Sequence, residues 1–278
     1  MKNFWQRALT GIIFVLAIVG GLWWHEYSYL LIFLTVVILG MLEFIEIVKV
    51  RKPVRAQVGW ALFIGIFWYV SVFYVLRGNL SARWLVFIVP LLIGVFITEL
   101  YRKKESPLLN IAVTLLVPFY VALPFSFLHF LAFHHGVYNY ELVLGFFILI
   151  WANDTGAYLI GVSFGKHKFF PRISPKKTWE GFFGGISFTL LAGWLISAFY
   201  IDHLNWYYWL IIALIVSVMG TLGDLVESML KRSVNLKDSG KILPGHGGVL
   251  DRFDAVIFAA PLMVSFLLLL CFLDLYKL

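Results

Sequence analysis

Apolar segments of the sequence carry carboxylates at spacings that place them on shared helix faces. Asp224 and Glu227 are three residues apart, and Asp251 and Asp254 repeat that spacing further along the chain. Residues three apart lie on the same face of a helix. Asp154 lies inside an earlier apolar segment, where a charge is costly and marks a candidate functional site. Clustered carboxylates are what a hard cation such as Mg²⁺ binds, together with water and phosphate oxygens.

Ion pairing is the simpler interpretation of these acids. Glu227 and Lys231 are four residues apart, the spacing of a helical ion pair, so pairing stays open as an alternative there. Glu43 and Glu46 lie near the end of another apolar segment. We expect both of them to be interfacial charges that reach for water.

The segment around Ser174 has the features of a helix start. Ser174 is a suitable N-cap and Pro175 suits the first helical position. Lys176 and Lys177 would then lie in the first turn, where the helix dipole disfavours cations. A bound anion would offset that mismatch. Alternatively, the two lysines reflect only the basic bias of cytoplasmic loops.

Cations and glycines crowd a second segment, which follows Glu227. Glycine lets a backbone approach a phosphate closely, and arginine offers a fork suited to phosphate oxygens. Acids, cations and a glycine-rich turn between residues 224 and 254 predict metal-assisted chemistry on a phosphate at the membrane surface. The candidate phosphate-binding residues of this segment are Lys231, Arg232, Lys237, His246, Gly247, Gly248 and Arg252.

Composition identifies the class of protein that must position these residues. The chain has 278 residues, of which 62% are hydrophobic and 13% charged, and its mean hydropathy is +0.91. A soluble domain is about half apolar and a quarter charged, so soluble and disordered classes are excluded. Cys271 is the single cysteine, which excludes an intrachain disulfide. The sequence predicts an all-α polytopic membrane protein of about nine spans: 8–24, 27–48, 57–76, 83–101, 107–134, 141–164, 178–200, 206–230 and 254–276.

Basic residues predict the orientation of these spans. The net charge is +7, which in a membrane protein reflects cytoplasmic loops, and nucleic acid is not an expected partner. With the N-terminus cytoplasmic and the C-terminus outside, every Lys and Arg except Arg77, Arg83 and Lys277 lies on the cytoplasmic side. Whether the span 107–134, with its two prolines, is one kinked helix or two is left open.

The two parts of the chain are expected to differ in role, and the second part contains two long cytoplasmic loops, 165–177 and 231–253. We expect residues 1–134 to form a scaffold of about five spans, facing lipid or a second subunit. Residues 135–278 would then form a catalytic region of about four spans that includes both loops. Long loops in a compact protein are usually functional or disordered.

The stretch from Ser228 to Asp254 resembles the signature of the CDP-diacylglycerol synthases, or phosphatidate cytidylyltransferases. Its elements are Ser, then Lys-Arg, Lys-Asp, His-Gly-Gly and Asp-Arg-x-Asp. Segments around Asn153-Asp154, Gly165-Lys166 and Ser174-Pro175-Lys176-Lys177-Thr178 are also similar to family segments. The resemblance covers about 150–254, whereas the N-terminal half is similar only in being hydrophobic.

This resemblance implies that CTP and phosphatidic acid react to give CDP-diacylglycerol and pyrophosphate. It also implies Mg²⁺ as a cofactor, an intramembrane site open to the cytoplasm and a homodimer. Membrane lipids are expected as further partners, and the inner (plasma) membrane is the expected location. Whether a second cation binds is left open. The candidate catalytic residues are Asp224, Asp251 and Asp254; the candidate metal ligands are Asp224, Asp251 and Asp154; and the candidate substrate-binding residues are Lys166, Ser174, Lys176, Lys177, Lys231, Arg232, Lys237, His246, Gly247, Gly248 and Arg252.

Two other functions compete with this one. A CTP-dependent transferase that acts on another lipid phosphate or on a polyprenol could carry the same loops. A cation-coupled transporter could use Asp154 and Asp224 as a midplane ion site, although transporters usually show paired repeats and no repeat is visible in this sequence.

Overall fold

The computed structural model describes residues 2–50, 54–134, 136–201, 204–236, 239–240 and 247–275, and in the first helix the side chains from Gly11 onward. Helices make up most of these residues. They are α1 (Lys2–Trp24), α2 (Glu26–Lys49), α3 (Val58–Leu76), α4 (Ile88–Arg102), α5 (Pro107–Tyr120), α6 (Ala122–Ala132), α7 (Glu141–Phe164), α8 (Trp179–Phe199), α9 (Trp206–Ser233) and α10 (Leu250–Phe272). A 3₁₀ helix (Ala82–Phe87) leads into α4, and β1 (Lys168–Phe170) pairs antiparallel with β2 (Ser174–Thr178) between α7 and α8.

Eight helical segments of the described chain are long and apolar enough to cross a membrane. They are α2, α3, the 3₁₀ helix with α4, α5 with α6, and each of α7 to α10. The all-α polytopic membrane fold is therefore confirmed. The predicted first span, 8–24, falls on α1, whose described apolar part is the shorter segment Gly11–Trp24.

The span 107–134 is formed by two consecutive helices, which meet at Val121. Pro118 lies inside α5 and Pro124 lies early in α6. Pro124 has no N–H to donate to the carbonyl of Tyr120, four residues earlier, so the hydrogen-bond ladder is interrupted where the break occurs. The alternative left open by the sequence is thus decided in favour of two helices within one apolar segment.

The predicted helix start at Ser174 is wrong. Ser174 begins β2, which continues to Thr178, and α8 begins only at Trp179. A residue before proline favours extended backbone, and Thr178 is the residue that caps the helix, because its hydroxyl accepts the N–H of Gly181 at 3.2 Å. Both lysines therefore precede the helix, and its first turn carries Glu180, an acid that suits the dipole.

The chain divides into two compact units, with boundaries after Tyr138, after Arg232 and, inside α10, after Phe253. Unit 1 comprises Met1–Tyr138 and Ser233–Phe253, whereas unit 2 comprises Asn139–Arg232 and Asp254–Leu278. The segment 233–253 therefore groups with the N-terminal helices by its packing. The predicted functional division between 1–134 and 135–278 stays a prediction.

In unit 1 the first turn of α10 is held by an aromatic cluster. Phe253 is 1% exposed, and its ring lies 5.3 Å from that of Phe14, 5.6 Å from Phe125 and 6.4 Å from Phe33. Such tilted and edge-to-face contacts are the favoured arrangements of aromatic rings. They fix where α10 begins, and hence where Asp251 lies.

In unit 2, small residues bring α7 and α8 into close contact. A Cβ on Gly156 would lie 2.7 Å from the carbonyl oxygen of Gly184, and one on Gly185 would lie 2.6 Å from Oδ1 of Asn153. Membrane helices associate through such close packing, since lipid is as apolar as the helix surfaces. The glycines therefore fix the part of α7 that carries Asn153 and Asp154.

Candidate active site

The candidate site in unit 2 is built around an ion pair between α9 and the hairpin that β1 and β2 form. The ammonium of Lys177 lies 2.6 Å from Oδ2 of Asp224, and Ser228, one helical turn further along α9, donates to Oδ1 of the same carboxylate at 3.2 Å. Both members of the pair are part-exposed, Lys177 at 26% and Asp224 at 38%. A carboxylate that is held in place yet accessible can accept a ligand from outside the protein.

Asp254 adds a second carboxylate to this centre. It interacts electrostatically with Asp224, Glu227 and Asp154 and with the ammonium of Lys177. Several like charges and one ammonium form a locally acidic site that an added cation would stabilise. Asp224, Asp254 and Asp154 therefore form an electrostatic cluster within unit 2, and their role as metal ligands or catalytic residues stays a prediction.

A glycine lets α9 and α10 approach closely enough to form this cluster. A Cβ on Gly223 would lie 2.6 Å from the backbone carbonyl oxygen of Asp254. At Gly220, one turn earlier, a Cβ would lie 3.3 Å from the Cβ of Ala255, which a small shift can accommodate. Gly223 thus sets the distance between the backbones that carry Asp224 and Asp254.

Gly223→Ala should therefore separate the two helices and impair function, whereas Gly220→Ala should be nearly tolerated. We expect Gly223→Ala to destabilise the protein by about 1–3 kcal/mol, as overpacking does. Thermal unfolding in detergent measures the effect. Equal unfolding temperatures for the two variants would show that the close contact at Gly223 does not constrain the fold.

Asn153 joins α7 to α9 beside the cluster. Its side-chain carbonyl accepts the hydroxyl of Ser217 at 2.6 Å, and both residues are buried. Asp154, the next residue, is exposed. The pair Asn153-Asp154 thus combines a buried hydrogen bond that fixes the helix with a carboxylate that stays accessible.

Glu227 and Lys231 form a buried ion pair. Oε2 of Glu227 lies 2.6 Å from the ammonium of Lys231, and their side chains are 1% and 9% exposed. The pairing interpretation of these two residues is therefore confirmed. Lys231 directs its charge at a carboxylate of its own helix, and its predicted contact with a substrate phosphate stays a prediction.

Unit 1 holds Asp251 among backbone donors. Its Oδ2 accepts the N–H of Gly248 at 2.8 Å and that of Ser239 at 3.0 Å. Gly247 has φ +82°, a left-handed conformation that favours glycine. Gly247 and Gly248 thus lie beside Asp251, and the N–H of Gly248 is directed at this carboxylate.

The carboxylate oxygens of the cluster suit a hard cation as ligands. No group of three acidic, histidine or cysteine side chains within the described ranges is gathered closely enough to hold a metal by itself. Mg²⁺, however, is usually bound by one or two carboxylates, with water and substrate phosphates supplying the other oxygens. Asp224, which already holds an ammonium at 2.6 Å, fits that part with Asp154 or Asp254 beside it.

Comparison with known proteins decides the family. The cytidylyltransferase family matches residues 5–270. The chain belongs to this family. The match also extends through the N-terminal half, in which the sequence alone had suggested only shared hydrophobicity.

Curated relatives of this chain share one name, phosphatidate cytidylyltransferase. A phosphatidate cytidylyltransferase of Staphylococcus epidermidis is 50% identical over 121 residues, which are 44% of this chain and 46% of that protein. Proteins of the same name are 43% identical over 162 residues in Staphylococcus haemolyticus (58% and 60% of the two chains) and 51% identical over 122 residues in Staphylococcus aureus (44% and 46%). The chain spans about half the length of the curated relatives it matches.

The other predicted substrate residues lie on or near the surface. Lys166 and Lys176 are exposed on the hairpin segment, and Ser174 is half-buried at the start of β2. Glu180 fixes the base of the hairpin, because its carboxylate accepts the backbone N–H of Lys166 at 3.1 Å. Arg232 and Arg252 are exposed as well, whereas Lys237 and His246 fall outside the described residues.

The sequence interpretation of Glu43 is wrong. Glu43 is only 4% exposed. Its carboxylate accepts the hydroxyl of Ser239 at 3.0 Å and the N–H groups of Val249 and Leu250 at 2.9 and 2.8 Å. Glu46, by contrast, is exposed and pairs with Lys49 as an interfacial charge would. The missed signal was position: Glu43 lies six residues before the end of α2, further into the apolar helix than Glu46, where an acid needs partners.

Proposed function

We propose that the protein is a phosphatidate cytidylyltransferase, which makes CDP-diacylglycerol and pyrophosphate from CTP and phosphatidic acid. The observation that carries this proposal is the accessible pair Lys177–Asp224 beside Asp254, in a chain of the cytidylyltransferase family. Relatives named for this activity support the choice of lipid. An ammonium and a set of carboxylates suit the recognition of a polyphosphate with its counter-cation.

The reaction requires one displacement at phosphorus. An oxygen of the phosphatidate phosphate attacks the α-phosphorus of CTP, the bond from that phosphorus to the bridging β-oxygen breaks, and pyrophosphate leaves with the electron pair. No covalent bond to the protein is needed, so catalysis consists of positioning and charge neutralisation.

Asp224 and its neighbours Asp154 and Asp254 would hold Mg²⁺, which when bound supplies charge neutralisation at the phosphates. Lys177 can exchange its contact with Asp224 for a phosphate oxygen, because a single side-chain rotation redirects an ammonium. Lys176 and Lys166, exposed on the same hairpin, would attract the anionic substrates. Asp251, which we predict from the sequence to be a further metal ligand, keeps that role as a prediction.

We further propose that the site opens to the cytoplasm from the inner membrane, with a cytoplasmic N-terminus and an outer C-terminus, and that the protein forms a homodimer. The support for the orientation is the distribution of basic residues, of which only Arg77, Arg83 and Lys277 would lie outside.

Thiol labelling in intact cells tests this orientation. The variants Arg83→Cys and Lys168→Cys are each made together with Cys271→Ser, which removes the one native thiol. A membrane-impermeant thiol reagent should label the Arg83→Cys variant and leave the Lys168→Cys variant unlabelled until the cells are opened. The reverse pattern would contradict the orientation.

Purified protein in detergent tests the activity. With CTP, phosphatidic acid and Mg²⁺, we expect CDP-diacylglycerol and pyrophosphate in equal amounts, and no product once the cation is chelated. A panel that replaces phosphatidic acid with a polyprenyl phosphate or a polyprenol tests the lipid class. Turnover of a polyprenyl substrate in place of phosphatidic acid would contradict the proposal, as would cation transport without either product.

A further inference from the structure

We propose that Glu43 is a positioning residue, which reaches from α2 to hold Ser239 and the start of α10 in the geometry that Asp251 needs. This inference rests on the proposed function, because Asp251 is a predicted metal ligand of that reaction. It concerns a residue outside the signature segment, on a helix far away in the sequence.

The geometry is that of a helix cap supplied by another helix. The first N–H groups of a helix have no partner within the helix. At the start of α10, the N–H of Val249 donates to Oε1 of Glu43 and the N–H of Leu250 donates to Oε2. A carboxylate at a helix N-terminus is further favoured by the dipole. Glu43 thus fixes the end of α10 next to which Asp251 lies.

The same carboxylate also contacts Ser239, which lies before α10 in the sequence. Oε2 of Glu43 also accepts the hydroxyl of Ser239, and the backbone N–H of Ser239 in turn donates to Asp251 at 3.0 Å. Ser239 therefore bridges the two acids. A change at Glu43 reaches Asp251 by two routes, through Ser239 and through the first turn of α10.

Gly240 and Gly248 leave room for this carboxylate. A Cβ on Gly248 would lie 2.5 Å from Oε2 of Glu43, and a Cβ on Gly240 would collide with Oε1. Gly40, one turn before Glu43 on α2, lets that helix approach Val121 and Leu250, at 3.2 and 3.8 Å from its Cβ position. Glycine at these positions is thus explained by the approach of α2, a requirement separate from any contact with phosphate.

Glu43→Gln tests the role with little change of shape. An amide has one oxygen where the carboxylate has two, so either Val249 or Leu250 must face an N–H₂ group and lose its acceptor. Glu46→Gln is the matched control, because Glu46 is on the same helix and exposed. Hydrogen exchange of the purified proteins, read on peptides from 247–255, should be at least about tenfold faster in Glu43→Gln and unchanged in Glu46→Gln.

Kinetics then separates positioning from general stability. Loss of a residue that orients a metal ligand typically weakens metal affinity by about 10–100-fold. We therefore expect the Mg²⁺ concentration for half-maximal activity to rise by that factor in Glu43→Gln, with most of the maximal rate restored at saturating Mg²⁺. A lower rate at an unchanged Mg²⁺ requirement would overturn the inference, as would unchanged exchange.

Two further arms keep the outcomes distinct. If Glu43→Gln does not fold, Ser239→Ala takes its place, since it removes one donor and leaves the charge; it should shift exchange and Mg²⁺ requirement in the same direction by a smaller factor. If the wild-type protein makes no CDP-diacylglycerol, the proposed function fails, while the exchange experiment still decides whether Glu43 holds the start of α10.

Discussion

Asp224→Asn is expected to reduce cytidylyl transfer by at least about a thousandfold, the size of effect seen when a charge-stabilising group is removed from an active site. Asparagine keeps the shape of the side chain, and its carbonyl can still accept the hydroxyl of Ser228, which donates to Asp224 at 3.2 Å. It loses the negative charge that now holds Lys177 and that would hold Mg²⁺. The effect should therefore fall on turnover, with the fold retained.

The measurement is kcat with saturating substrates and Mg²⁺, together with the unfolding temperature in the same detergent. Glu141→Gln is a suitable control. Glu141 is an acid in the first turn of α7, whereas the β1–β2 hairpin that carries Lys177 follows the other end of that helix. Cytidylyl transfer close to the wild-type rate in a folded Asp224→Asn protein would remove Asp224 from the machinery. A collapse of the unfolding temperature would instead reveal a structural role.

Lys177→Ala should have the second largest effect, on the order of 100-fold in kcat/KM, because it removes a charged donor directed into the site. The structure separates it from Lys176, with which the sequence had grouped it. Lys177 contacts Asp224 at 2.6 Å, whereas Lys176 is exposed on the hairpin. Exposed charges contribute little individually, so Lys176→Ala should change kcat/KM by less than about fivefold.

The same comparison tests what the lysines are for. Lys177→Arg keeps the charge and should recover part of the lost activity, whereas Lys177→Met should not. Equal effects of Lys176→Ala and Lys177→Ala would show that the pair acts only as a diffuse positive field. Unchanged kinetics in both would mean that cytoplasmic bias is their whole purpose.

Hydropathy predicts the helices of this fold well because long apolar segments must satisfy their backbone hydrogen bonds internally when they cross a membrane. The ends of segments are predicted less well, since they depend on local competition. Ser174 looked like a cap, but the following proline favours a strand there, and Thr178 caps α8 instead. The break at Val121 lies next to Pro124, which cannot donate to the carbonyl of Tyr120, whereas Pro118 is accommodated inside α5.

Contacts made by residues distant in sequence account for what the sequence did not predict at the site. The spacing of Asp224 and Glu227 predicted a shared face, and the pairing of Glu227 with Lys231 at four residues was foreseeable as a local contact. The partner of Asp224 was not foreseeable, because Lys177 reaches it from a hairpin that the hydrophobic periodicity of the sequence does not predict. The position of Glu43 in an apolar helix indicated that it needs partners, but which partners it has could not be foreseen, because Ser239, Val249 and Leu250 are distant in sequence.

Cytidylyl transfer is tested most directly by following the label of CTP in the purified protein with phosphatidic acid and Mg²⁺. Cytidylyl transfer predicts that ³²P at the α-position enters the lipid and that ³²P at the γ-position leaves as pyrophosphate, in equal amounts. The γ-label in the lipid, with CDP as the released product, would mean that the protein phosphorylates its lipid and would contradict cytidylyl transfer.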